Sequence, residues 1–136
     1  MAHLYKTRIY YDDTDAGGVV YYGRYLSLLE RARTEFLEAS GISVAAFHMS
    51  GLFFVITHVD IHYRRPARLG EIVSITSEVT SMRSASLIVK NRIERDGALL
   101  VEADVTIACV DGNGRPQRLP AGFRALAPGE NPESPA

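Results

Sequence analysis

The residues most able to do chemistry are crowded into one string, YYDDTDAGGVVYYGRY, from Tyr10 to Tyr25. Asp12, Asp13 and Asp15 stand with Thr14, Gly17 and Gly18, residue types that favour turns and helix caps over regular structure. Alternation precedes the string and a helical pattern follows it, so the chain passes there from strand through a glycine-containing loop to a helix start. Free backbone N–H groups at a helix start carry partial positive charge, and they can hold an anion or polarise a carbonyl laid against them. Gly17 and Gly18 have no side chain to hold a ligand off, and Asp15 is the last carboxylate before the helix. A carboxylate facing a polarised carbonyl is a hydrolytic arrangement. A thioester carbon is electrophilic enough for the carboxylate either to attack it, giving an anhydride, or to draw a proton from attacking water. Aspartates at such junctions most often serve as turn formers and caps, so spacing alone does not choose between the two readings.

Other constellations fail on their own requirements. A calcium loop built on Asp13 and Asp15 needs an oxygen ligand where Gly17 stands and a bidentate acid where Arg24 stands. A phosphatase with a D-x-D nucleophile needs a larger parallel α/β domain, a later lysine and a downstream acidic pair for magnesium. His58, Asp60 and His62 share a strand face, but no further histidine or cysteine completes a metal set, so no metal is expected. Cys109 lies in the apolar run Val105, Ile107, Cys109 and reads as a small buried hydrophobe that no neighbour activates. Gly112-Asn113-Gly114 lacks the third glycine and following helix of a dinucleotide fingerprint and reads as a turn.

The elements that must position the string follow from periodicity. Tyr5 to Tyr11 alternates with period two, a first strand. Tyr25, Leu28, Leu29, Ala32, Phe36 and Leu37 recur at helical spacing within Val20 to Ser40, and Gly41 ends that long helix. Ser43 to Met49 adds a short helical turn. Period two then returns four times, in the runs from Leu52 to Tyr63, Val73 to Val79, Leu87 to Ile93 and Leu99 to Cys109, with Asp96-Gly97 as a hairpin signal. An antiparallel meander is expected. At 136 residues, 46% of them hydrophobic, the chain makes one domain, set here as 1–127 with a polar, proline-rich disordered tail at 128–136. One helix and about five strands bury their apolar faces if the sheet wraps the helix, an α+β architecture. Its open edges invite pairing with a second copy. A net charge of -1 gives no overall basic field for nucleic acid or an anionic membrane. A lone cysteine, no leader-like start and no bilayer-length apolar run predict a soluble, cytoplasmic protein without membrane insertion.

The string resembles the signature of the 4-hydroxybenzoyl-CoA thioesterase superfamily, and most closely that of its Tol-Pal-associated acyl-CoA thioesterase branch. The likeness continues through Glu30-Arg31-Ala32-Arg33-Thr34-Glu35, Tyr63, Pro66-Ala67-Arg68-Leu69, Thr80-Ser81-Met82-Arg83 and Cys109-Val110-Asp111. It implies the hotdog fold and hydrolysis of acyl-CoA to a carboxylic acid and free coenzyme A, which is substrate, so that no cofactor is needed. It makes Asp15 the catalytic carboxylate, leaves Asp13 to shape the loop, and assigns the polarising amide to Tyr22. That branch usually carries histidine where Tyr22 stands, so the tyrosine resembles the hydroxybenzoyl-CoA enzymes instead. Tyr11 matches a family tyrosine near the site, and reads equally as a core strand aromatic. Coenzyme A brings phosphates that require cations and hydroxyls. Arg83, Ser84 and Ser86 match the family's CoA-binding turn, while Arg64, Arg65 and Arg68 form a second cluster. The family further implies a homodimer or a homotetramer of paired dimers and a link to envelope lipid metabolism. The competing reading is a non-catalytic module that binds acyl-CoA or acyl carrier protein, or scaffolds phospholipid-synthesis proteins.

Overall fold

The computed structural model describes residues 2–129; the expected tail, from residue 130 onward, lies outside the described residues. Strand β1 (Ala2–Arg8) leads through a 3-10 turn (Tyr11–Asp13) and a loop into helix α1 (Arg24–Ala39). A short helix α2 (Val44–Met49), capped by the Ser43 side chain, precedes strands β2 (Leu52–Tyr63), β3 (Ile72–Met82), β4 (Ser86–Arg95) and β5 (Ala98–Asp111). All five strands form one antiparallel sheet in the order β1-β3-β4-β5-β2. Helix α1 buries Tyr25, Leu28, Leu29, Ala32, Phe36 and Leu37, and these pack with Val73, Ile75, Val89, Ile93, Val101 and Val105 of the sheet into one core. The hotdog architecture expected from the sequence is present: a sheet laid along one long helix.

Three details depart from the periodicity. The first strand ends at Arg8, so Tyr11 is no strand aromatic; it sits in the 3-10 turn and is 81% exposed. Helix α1 starts four residues later than the pattern suggests. Val20 N–H donates to the Ala67 carbonyl at 2.9 Å and Tyr21 N–H to that of Asp13 at 3.1 Å, which holds this stretch extended. The meander holds only for β3, β4 and β5. Strand β2 lies at the far edge against β5, because its link to β3 is no tight hairpin. Pro66, without an N–H, ends the ladder, and the link then pairs with the loop before α1 through a Val19–Arg68 bridge and a Leu69 N–H to Gly18 carbonyl bond of 2.9 Å.

Edge strand β2 contains no fully buried residue, and Val55 and Ile56 stay 40% and 44% exposed. Its register against β5 slips between Ile56 and His58, a bulge that breaks the even alternation the sequence suggests from Val55 to Tyr63. Beyond β5 a 3-10 segment (Ala121–Leu126), which periodicity does not announce, buries Phe123 and Leu126 against the end of the core. Among the described residues no helix is long and apolar enough to cross a membrane.

Candidate active site

The loop from Tyr10 to Gly23 is fixed from within by Asp13, which is 2% exposed. Its carboxylate accepts from Tyr10 N–H at 2.8 Å and from Arg24 Nε at 2.9 Å, while its carbonyl accepts from Tyr21 N–H. The hydrogen bond that Arg24 donates to Asp13 holds the Arg24 pKa above its ordinary value, although burial works against it. One buried carboxylate therefore joins the start of the loop to the first residue of α1. Periodicity gives Arg24 no part in this, since the pairing spans eleven residues of irregular chain.

Asp15 is oriented differently. One oxygen, Oδ1, accepts from Gly17 N–H at 2.8 Å, and the other has no hydrogen-bond partner among the described residues. A Cβ on residue 17 would stand 3.2 Å from that Oδ1, so the missing side chain leaves the carboxylate its place. Gly18 follows in the left-handed region at φ 77°, turning the chain back so that its N–H donates to the Asp15 carbonyl at 3.1 Å. The carboxylate is exposed in the single protomer and opens onto a depression of about 450 Å³ that Asp13, Tyr21, Arg24 and Ser27 also line.

Tyr22 stands two residues before α1. Its carbonyl accepts from the Tyr63 hydroxyl of β2 at 3.2 Å, but its N–H and that of Gly23 have no acceptor among the described residues. Tyr22 as a whole is 64% exposed. Tyr22 shares a second depression, of about 270 Å³, with Tyr25, Tyr63 and Arg65. Tyr25 anchors the floor: its buried hydroxyl accepts from Ala67 N–H at 3.0 Å, and burial raises its pKa. Two unclaimed amides thus end a short, cross-braced loop that carries an exposed carboxylate.

The other expected site residues fall elsewhere. Tyr11 lines neither depression. Arg83 and Ser84 border a separate cleft at the β3–β4 turn, whereas Ser86 opens β4 and its carbonyl accepts from Arg83 N–H at 2.8 Å. The pairing of Arg8 with Ile72 puts the Asp15 loop at the start of β3, and Arg83 follows the end of that strand. Eleven residues of strand separate the two ends, roughly 33 Å at the usual rise. Within one protomer the Asp15 loop and the β3–β4 turn thus lie toward opposite ends of that strand. Of the second arginine cluster, only Arg65 and Arg64 meet Tyr22. His62 pairs with Asp60 at 3.1 Å in the open, and among the described residues no group of three ligating side chains converges. Cys109 is buried, and desolvation raises its thiol pKa.

Comparison with known proteins gives this geometry a family. A family model described as the thioesterase-like superfamily matches residues 10–127. The acyl-CoA thioester hydrolase YbgC of Escherichia coli O6:H1 is 42% identical over 118 residues, spanning 85% of this chain and 88% of the relative. The acyl-CoA thioesterase YbgC of Haemophilus influenzae is 37% identical over 123 residues, 89% of this chain and 90% of that one. A solved structure from Bartonella henselae superimposes with a TM-score of 0.84 at 36% identity, covering 88% of this chain and 100% of its own. The 1,4-dihydroxy-2-naphthoyl-CoA thioesterase of Synechocystis shares the fold, at a TM-score of 0.86 and 21% identity over 93% of this chain and 95% of that one. A helix laid on a five-stranded sheet, with the aspartate-glycine loop at the helix start and a match across nearly the whole fold, has one consequence: the chain belongs to the thioesterase-like superfamily.

Proposed function

We propose that the protein hydrolyses acyl-CoA thioesters to a carboxylic acid and free coenzyme A, with Asp15 as the reacting carboxylate. The observation that carries this reading is a carboxylate with one oxygen tied to Gly17 N–H and one left free, on a loop that ends in the unclaimed amides of Tyr22 and Gly23. A thioester carbonyl whose oxygen accepts from Tyr22 N–H gains positive character at carbon as negative charge builds on oxygen. Asp15 then acts in one of two ways. As nucleophile, its free oxygen bonds to the carbonyl carbon, the C–S bond breaks with its electron pair on sulfur, and water opens the resulting anhydride. As general base, it takes a proton from water as the water oxygen attacks, and returns it to the leaving thiolate. Neither route calls on a cofactor.

The site is completed by a second copy. Two β2 edges paired antiparallel about a two-fold axis lay the β3–β4 turn of one protomer beside the Tyr22 end of the other, and the half-exposed Val55 and Ile56 lie on that edge. Arg83, Ser84 and Ser86 then hold the coenzyme while the partner copy supplies the carboxylate, and Arg65 stands by the acyl end with Tyr22. A further pairing of such dimers into a tetramer, a cytoplasmic location and a part in envelope lipid metabolism belong to the same proposal and rest on the sequence resemblance.

Replacing Asp15 with Asn keeps shape and removes charge. Turnover of a panel of acyl-CoA chain lengths is expected to fall by about a hundredfold or more, the scale of a lost general base or nucleophile. Hydrolysis near the wild-type rate would refute the assignment. Tight acyl-CoA binding by the unaltered protein without turnover at any chain length would favour a non-catalytic binding module.

A further inference from the structure

The loop that carries Asp15 stands on one short piece of chain. Before the loop, Ile9 N–H donates to the Glu71 carbonyl at 2.8 Å, and the Ile9 carbonyl accepts from Gly70 N–H at 2.9 Å. After Asp15, the Gly18 carbonyl accepts from Leu69 N–H at 2.9 Å, and Val20 N–H donates to the Ala67 carbonyl at 2.9 Å. Both ends of the loop are thus pinned to residues 67–71, in the link between β2 and β3. Any shift of the link is passed to the chain on both sides of Asp15.

The link lies outside the strands, so its own shape needs a further support, and one guanidinium supplies it. Nη1 of Arg95, the last residue of β4, donates to Glu71 Oε1 at 2.7 Å and to the Pro66 carbonyl at 3.3 Å. One nitrogen thereby draws the two ends of the link together. The same Glu71 oxygen accepts from Arg68 N–H at 2.6 Å, inside the link, while Arg8 reaches only the Gly70 carbonyl, at 2.9 Å. The Arg95 and Glu71 side chains are 26% and 27% exposed, a partly buried pair that salt screens less than an open one. Both charges also act on the Tyr25 hydroxyl that accepts from Ala67 N–H. Burial raises the Tyr25 pKa most, and among the smaller effects Glu71 raises it and Arg95 lowers it. Removing either charge leaves the other unbalanced beside that hydroxyl.

We propose that Arg95 and Glu71 are positioning residues for the reaction: their ion pair sets the link, and through it fixes the Asp15 carboxylate against the amides of Tyr22 and Gly23. Neither side chain lines the depressions that hold Asp15 and Tyr22, so the pair acts through the chain and not by touching substrate. The inference rests on the acyl-CoA reading above and extends it, because it places control of the chemical step at the end of β4. A reacting group displaced by about 1 Å loses up to about a hundredfold in rate. Coenzyme binding at the β3–β4 turn, toward the other end of β3, is left alone, so the pair governs kcat and not KM.

The test compares Arg95→Gln, Glu71→Gln and the double variant with Arg95→Lys. Glu71→Gln keeps an acceptor for Arg68 N–H and removes the charge, and Arg95→Lys keeps a cation that can donate to both acceptors. In each glutamine variant kcat for an acyl-CoA is expected to fall about tenfold with KM within about twofold. The double variant should fall no further, since both substitutions break one pair, and Arg95→Lys should recover most of the loss. Unchanged kcat, additive losses, or a lysine variant no better than glutamine would overturn the proposal. Amide hydrogen exchange, followed by NMR on the unliganded protein, separates it from the acyl-CoA reading. In Arg95→Gln the Val20 and Leu69 amides are expected to exchange about tenfold faster while those of central strand β5 keep their protection. That result supports the pair's role even in a protein that turns over no acyl-CoA. Equal exchange in parent and variant rejects it, and so does a loss of protection across the whole sheet, which marks general destabilisation.

Discussion

At the scale of single residues, the loop divides its aspartates by burial. Asp13, buried and doubly bonded, is spent on shape, whereas Asp15 keeps one oxygen free. The tyrosine at position 22 divides in the same way between backbone and side chain. Its carbonyl is held by Tyr63, its amide is unclaimed, and its phenol lies against Tyr21, with ring centroids 4.7 Å apart, and raises the Tyr21 pKa. In the proposed function it is the amide that polarises the carbonyl. Tyr22→Phe is therefore expected to leave kcat within about threefold of the parent, since it removes no group bonded to the developing charge. A fall of a hundredfold in single-turnover measurements would instead give the phenol a chemical role. Asp15 stands out in the sequence as the last carboxylate before a helix, a position that fits a turn former equally well, so its chemical role is carried by the family resemblance and not by spacing. Tyr11 was misplaced because alternation ran on past Arg8, where the ladder to β3 ends.

At the scale of elements, the site depends on contacts between two segments far apart in the chain. The loop before α1 and the link between β2 and β3 exchange backbone hydrogen bonds at Val20–Ala67 and Leu69–Gly18, and Tyr25 bonds the same link from the helix. Tyr25→Phe removes the acceptor of the Ala67 N–H, and Ala67 is fully buried. A buried donor left unsatisfied costs about 1–3 kcal/mol. The variant is expected to lose that much stability in urea titration and to lower turnover, because the link also braces the loop that carries Asp15. Unchanged stability would mean that the link does not lean on α1. These contacts explain what periodicity could and could not reveal. Strand β5 was legible since its alternation from Val101 to Cys109 is local and uninterrupted. The true start of α1 was not, because hydrogen bonds from Val20 and Tyr21 to distant carbonyls overrule a helical pattern that begins earlier. The placing of β2 beside β5 is likewise set by partners that no local pattern encodes.

At the scale of the whole molecule, the sheet order decides who can share a substrate. Asp15 and Arg83 lie toward opposite ends of β3, and the proposed function therefore has two copies share each substrate. This gives a test that a site contained in one protomer would fail. Chains carrying Asp15→Asn and chains carrying Arg83→Glu are each expected to form weakly active assemblies, assayed at substrate below KM. In a mixed dimer, one site combines both lesions, and the other combines the intact Asp15 of one chain with the intact Arg83 of its partner. Random pairing makes half the dimers mixed, so co-expression should recover about a quarter of wild-type activity. Were Asp15 and Arg83 to serve a site within the same protomer, every site in the mixture would hold one lesion and activity would only average that of the two parents. The recovered fraction therefore measures directly whether each site is built from two chains.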